Sequence, residues 1–188
     1  MTLPITIGVS ACLLGEHVRY DGGDKHDRYI TGTLGKYFTF LPVCPEVGCG
    51  LPTPREAMRL EGDPADPRLI TRQTRIDMTG QLKAYCAATV KELENEDLCG
   101  FIFKERSPSC GLTAVPLHGS GTSEMFSVGL FANEVVRRFP LMPLEEAERL
   151  SNPDILKNFI ERVFLYRGLM DSRIKESCLD PLPLKAWQ

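Results

Sequence analysis

Apolar positions along the 188-residue chain fall into a few runs of two distinct periods. Ile5-Thr6-Ile7-Gly8-Val9 is nearly continuous and β-branched, the pattern of a strand buried on both faces. Thr39-Phe40-Leu41-Pro42-Val43 predicts a second strand, and Pro42, with no amide proton for a ladder, puts it at a sheet edge or at a strand end. Phe101-Ile102-Phe103 predicts a third. Between the last two, Gln81 to Asp97 carries Leu82, Tyr85, Cys86, Thr89, Val90 and Leu93 at helical spacing, one apolar stripe. Because that helix runs straight into the Phe101 strand, the expected unit is a βαβ crossover with parallel strands.

The rest of the pattern is weaker. Residues 52–80, with Arg55, Arg59, Arg68, Arg72 and Arg75 among prolines and glycines, read as a long loop with little regular structure. Val128 to Phe139 reads as a helix and Phe139-Pro140-Leu141-Met142-Pro143 as a fourth short strand. A last helix is marked by Ser151 or Asn152 as N-cap, Pro153 in the first turn, and Ile155, Leu156, Phe159, Ile160, Val163 and Phe164 on one face. After Gly168 periodicity fades, and the tail with Cys178, Pro181, Leu182 and Pro183 reads as an extension or linker. The expected fold class is α/β, a single three-layer Rossmann-like domain around a short parallel sheet.

Composition narrows the function classes. A hydrophobic content of 43% suits one core of ordinary size. A net charge of -3 and a pI near 5.7 leave no basic footprint for nucleic acid. Met1-Thr2-Leu3-Pro4 does not begin a signal peptide, and no run approaches the roughly 20 apolar residues of a membrane span, so a cytoplasmic protein without a membrane partner is expected. In that reducing compartment seven cysteines, an odd number, point to metal or redox chemistry rather than a disulfide framework.

Three of these cysteines stand in equivalent places: Cys12, Cys44 and Cys110 each follow a predicted strand. In a parallel sheet those strands share a carboxyl edge, where open α/β sheets bind ligands. Three thiolates there would make a metal centre with one coordination position open. Cys86 belongs to the helical stripe as a small hydrophobe, Cys99 lies at the far end of the third strand, and Cys178 lies in the tail. Cys49 is near the site and has no assigned part. Pro45 and Pro108 stiffen the loops, Gly15, Gly48, Gly50 and Gly111 let amides approach, and the hydroxyls of Ser10, Ser107 and Ser109 can donate to sulfides. Three chemistries remain open at this point: an iron–sulfur centre, a four-thiolate zinc site using Cys49, and a nucleophilic cysteine assisted by His17, His26 or His118.

The segments Val9-Ser10-Ala11-Cys12-Leu13-Leu14-Gly15 with Val18-Arg19-Tyr20-Asp21-Gly22, Cys44-Pro45-Glu46-Val47 through Gly50-Leu51-Pro52-Thr53-Pro54-Arg55-Glu56, and Lys104 with Ser107-Pro108-Ser109-Cys110-Gly111 resemble the DUF523 family, associated with thiouracil desulfidases. The likeness is ordered and spans roughly residues 5–150. Gly129-Leu130-Phe131, Pro140 to Pro143, Arg149-Leu150 and Asn158 to Phe164 resemble the two-domain members, in which a DUF1722 domain follows and which are linked to removing sulfur from 4-thiouridine in tRNA. By this likeness residues 1–150 form the cluster-binding desulfidase domain. Residues 151–188 form a C-terminal helix and tail, either an extension or the start of a linker to a DUF1722 domain that this chain does not carry.

The resemblance implies a [4Fe-4S] cluster held by three cysteines, Cys12, Cys44 and Cys110, with one open iron for the substrate's sulfur. It implies Glu46 and Ser107 as the acid/base residues. The open iron is a soft Lewis acid for a thiocarbonyl; water then adds to the ring carbon and sulfur leaves as hydrosulfide without net redox change. Arg19, Asp21 and Ser109 are candidates for the substrate pocket, Arg19 and Asp21 having a loop ion pair as their ordinary alternative. The arginines of residues 55–75 either meet a nucleotide phosphate or are solvated. The expected substrate is 2-thiouracil, 4-thiouracil or 4-thiouridine, free or in tRNA, with the grip on tRNA left to the absent domain. Two rival classes stand beside this one: a non-catalytic zinc-binding interaction module and an iron–sulfur sulfur carrier.

Overall fold

A computed structural model describes residues 5–119 and 124–177. In chain order the elements are β1 (Ile5–Ser10), α1 (Arg28–Gly32), β2 (Phe38–Val43), α2 (Pro45–Gly48), β3 (Met58–Asp63), β4 (Asp66–Thr71), α3 (Thr79–Leu93), β5 (Leu98–Phe103), β6 (Val115–His118), β7 (Met125–Ser127), α4 (Leu130–Arg138), β8 (Leu144–Glu146) and α5 (Pro153–Ser177). Three 3-10 turns, at Ala11–Leu14, Leu34–Lys36 and Ala147–Ser151, join them.

The principal sheet has the order β2-β1-β5-β8 and is parallel throughout. Pro42 is tolerated because β2 is an edge strand. β5 lies inside the sheet and is buried at every residue. Its register against β1 slips by one residue, Thr6 facing Leu98 but Gly8 facing Phe101. That irregularity lets Leu98 and Phe101, three apart, enter the same apolar cluster, although side chains of a regular strand alternate faces. On this face Leu82, Cys86, Val90 and Leu93 of α3 and Phe131 and Val135 of α4 meet Phe101 and Phe103. Phe101 and Phe103 stack with centroids 4.3 Å apart, and Phe131 stands edge-on at 5.7 Å from Phe101. On the other face Ile7, Val9 and Ile102 pack with Ile30, Leu34, Leu150, Phe159 and Val163. The fold is thus the expected three-layer α/β arrangement. Each of these fully buried side chains contributes roughly 1.5–3 kcal/mol, so the strand ends are held by the core rather than by their loops.

The chain leaves β1 for β2 on one side and reaches β5 on the other. Order therefore reverses beside β1, which opens a crevice at the carboxyl ends of β1, β2 and β5.

Three expectations are corrected. Residues 52–80 are not a structureless loop, because β3 and β4 form an antiparallel hairpin there, and with β6 and β7 they make a second sheet of order β4-β3-β6-β7. Leu60, Leu69 and Ile70 are buried, and Asp63 accepts the Ala65 amide at 2.8 Å to close the turn. The fourth strand is Leu144–Glu146 instead of residues 139–143. Pro140 and Pro143 have no amide to donate; Phe139 O instead accepts the Met142 amide in a turn, and Pro143 O accepts from Phe101 N at 2.9 Å. The last helix does not fade at Gly168 but runs through Ser177, braced by an Arg167–Asp171 pair at 3.1 Å. Cys178, Pro181, Leu182 and Pro183 lie outside the described residues. Among the described residues no helix is long and apolar enough to cross a membrane.

Candidate metal centre

Each of the three strand-end cysteines is held by a different local device. Cys12 rides the 3-10 turn after β1, which closes at Gly15, φ +91°, a left-handed position suited to glycine. Its carbonyl accepts the amides of Gly15 at 3.3 Å and Lys25 at 2.9 Å. Cys44 is the residue before α2, with Pro45 in the first turn and Gly48 N donating back to the Cys44 carbonyl at 2.9 Å. Cys110 lies in a turn whose hydroxyl cap is Ser107: Oγ accepts the amides of Ser109 at 3.3 Å and Cys110 at 3.1 Å. The amides at the start of α4 bind the carbonyls of that turn, Leu130 N to Pro108 O at 3.1 Å and Phe131 N to Ser109 O at 2.9 Å. This close approach demands glycine at residue 129, where a Cβ would lie 2.6 Å from the Ser109 carbonyl.

The three thiols line one cavity of about 390 Å³, with Glu46, Ser107 and Arg19 also on its wall. Burial pushes the Cys12 thiol up to about 11, the charge of Cys44 adding to the effect while Lys104 and Arg19 oppose it. Burial also raises Cys44. Cys110 is raised well above its ordinary value, by burial and then by the proximity of Cys44, Cys12 and Glu46, against a hydrogen bond with Ser10. Three mutually repelling soft donors are stable together as thiolates only around cationic metal, so the donor set fits an iron–sulfur cluster. Among the described residues no group of three or more His, Cys, Asp and Glu side chains is drawn around a point as a single metal ion requires.

Glu46 is brought to this cavity, but its carboxylate is already engaged. Oε2 accepts from Arg55 Nε at 2.9 Å and Nη2 at 2.7 Å, and Oε1 accepts from Ser109 Oγ at 2.8 Å. Ser109 is fully buried behind Glu46, not on the wall. Arg19 is on the wall, whereas Asp21 is outside it, half exposed and paired to Arg19 at 3.2 Å. Cys49 is also outside: its thiol donates to Glu46 O at 3.2 Å and packs against the core. No histidine lines the cavity; His17 faces Asp24 at 3.6 Å and His26 bonds Thr31 at 2.9 Å. Cys86 and Cys99 are buried in the two apolar clusters.

Sequence reasoning did not identify two supports. Arg55, placed with the loop arginines that meet phosphate or solvent, is a buried partner of Glu46; its only sequence signal is its place in the Pro54-Arg55-Glu56 segment. Glu146, at the end of β8, accepts the amides of Leu112 at 2.9 Å and Thr113 at 3.0 Å and the Thr113 hydroxyl at 2.6 Å. It thereby anchors the chain just beyond Cys110, and no local pattern announces it.

The profile of the 2-thiouracil desulfurase family matches residues 7–147. Among solved structures, a [4Fe-4S]-dependent thiouracil desulfidase, TudS, is similar with a TM-score of 0.63 and 28% identity, over 82% of this chain and 97% of that one. A search of curated proteins gave no match.

Proposed function

The chain belongs to the 2-thiouracil desulfurase family, and from that premise we propose that it hydrolyses the C=S bond of a thiolated uracil in the cavity where β1, β2 and β5 end. Cys12, Cys44 and Cys110 would hold a [4Fe-4S] cluster with one open iron. The observation that carries this reading is the convergence of three thiols from three separate strand ends on one cavity that Glu46 and Ser107 also line.

When bound, such a cluster supplies a soft Lewis acid for the thiocarbonyl sulfur, which makes the ring carbon electrophilic. The chain's own residues handle the water. Glu46 Oε2 accepts two hydrogen bonds from Arg55, while Oε1 accepts one from Ser109. The proton of the attacking water goes to Oε1, the carboxylate oxygen that carries fewer hydrogen bonds and no contact with the guanidinium. Ser107 Oγ accepts two amides and still has its own proton to donate to a polar edge of the ring. Arg19, fixed by Asp21, gives the wall beside Cys12 a positive charge. In the net reaction one water enters, the oxo-pyrimidine, hydrosulfide and one proton leave, and no electrons are exchanged.

The cavity of about 390 Å³ has to hold both the cluster and the thiolated ring, which favours a small substrate. A thiolated base within tRNA would need a basic surface that a net charge of -3 does not favour, so that substrate calls for a further domain.

Anaerobic purification with iron and sulfide analysis, then incubation with 2-thiouracil and with 4-thiouridine, tests the reading. Iron, sulfide and released hydrosulfide are expected. One zinc and no iron would instead make the chain a zinc-binding module, and sulfur arriving on an acceptor would make it a sulfur carrier. Cys110→Ala is expected to lose the iron. Glu46→Gln, which keeps the shape and most hydrogen bonds, is expected to keep the iron and lose on the order of 100-fold or more in turnover.

A further inference from the structure

We propose that Arg55 is the positioning residue of this centre, a clamp that joins the three cysteine-bearing loops into one unit before any metal binds. The inference rests on the metal-centre reading above but not on turnover.

A guanidinium has five N–H donors, and every one of them is used here. Nε and one Nη2 proton go to Glu46 Oε2 at 2.9 and 2.7 Å, and the other Nη2 proton goes to Val18 O at 2.9 Å. Nη1 donates to Pro52 O and to Thr53 Oγ1, each at 3.2 Å. The Arg55 amide adds a bond to Tyr20 O at 2.8 Å. The side chain is 6% exposed. With no donor left over, Arg55 cannot serve as an anion receptor for a substrate phosphate.

The clamp is informative because of what it connects. Val18 and Tyr20 belong to the loop that follows Cys12. Glu46 lies two residues after Cys44, and through Oε1 it holds Ser109, the neighbour of Cys110, at 2.8 Å. One chain of charge-assisted bonds thus runs from the first loop through Arg55 and Glu46 to the third, across sequence separations of 37 and 63 residues. A lysine has three donors and no planar fork, so it can keep the charge but not the clamp.

The test uses the full chain, with and without iron and sulfide, as wild type, Arg55→Ala and Arg55→Lys, each shown folded by circular dichroism. Amide hydrogen exchange of the metal-free protein is the primary measurement. In Arg55→Ala, residues 16–20 and 107–111 are expected to exchange at least tenfold faster while β1 and β5 stay protected; Arg55→Lys should fall between. Millimolar guanidinium, filling the vacated space, should restore protection in Arg55→Ala at both segments. Faster exchange confined to residues 52–57, or no rescue, would overturn the clamp. If Arg55→Ala does not fold, Arg55→Lys decides by the same criterion at the two segments. Iron retention after desalting is the second readout and should fall in step with protection. A wild type that binds no iron would sink the cluster reading while leaving the exchange result to judge the clamp.

Discussion

Glu46 and Glu61 are each gripped by arginine, and they differ in what the grip joins. Glu46 is held by Arg55 at the carboxyl edge of the parallel sheet, with Arg55 6% and Glu46 13% exposed. Glu61, on β3, is held by Arg59 Nε at 2.6 Å and by both Nη atoms of Arg75, and those two arginines are 33% and 51% exposed. The Glu61 group ties a strand to the turn just beyond its own hairpin partner. The Glu46 group ties loops that meet only because three parallel strands end side by side. Similar ionic chemistry therefore serves local stiffness in one place and assembly of a site in the other, and the burial of the arginine separates the two cases.

The sharpest way to break this contrast is to remove each carboxylate. Glu46→Ala leaves a buried guanidinium without its counter-charge and is expected to cost about 3 kcal/mol or more in urea unfolding of the metal-free protein, with loss of iron binding. If Glu46→Ala and Glu61→Ala cost the same, the distinction fails. Gly129→Ala attacks the far arm of the Glu46 group. Its Cβ would meet the Ser109 carbonyl, so the turn that carries Cys110 must shift. The expected cost is about 1–3 kcal/mol, accompanied by weaker iron retention. Unchanged iron content with that loss of stability would show that Ser109 and Cys110 do not depend on the start of α4.

Much of the site was legible because it depends on short-range pattern. Cys12, Cys44 and Cys110 each follow an apolar run, and parallel pairing does the rest. Met58-Arg59-Leu60-Glu61 also alternates before the Asp63-Pro64-Ala65-Asp66 turn, a strand signal that the surrounding prolines and arginines obscured. Arg55 and Glu146 were illegible for a different reason. Each acts on residues far away in sequence, and an arginine after a proline looks the same whether it is solvated or spends all five donors inside the protein.

The smallest expected effect is at Glu61, and its pH dependence has a definite sign. The hydrogen bonds from Arg75, opposed by burial and joined by the one from Arg59, hold this carboxyl down at about 2, below its ordinary 4.5. A carboxyl depressed in the folded state binds its proton more readily when unfolded, so its stabilisation is complete above about pH 4.5 and disappears as the pH falls towards 2. Because both arginines are open to solvent, water and salt screen the pair, and Glu61→Gln is expected to cost only about 1 kcal/mol near neutral pH. Urea titrations from pH 2 to 7 should show wild type and variant converging at the acid end, and the gap at neutral pH should shrink in high salt. A gap that widens on acidification, or that ignores salt, would place Glu61 with Glu46 as a buried tie and remove the basis on which the two clusters were told apart.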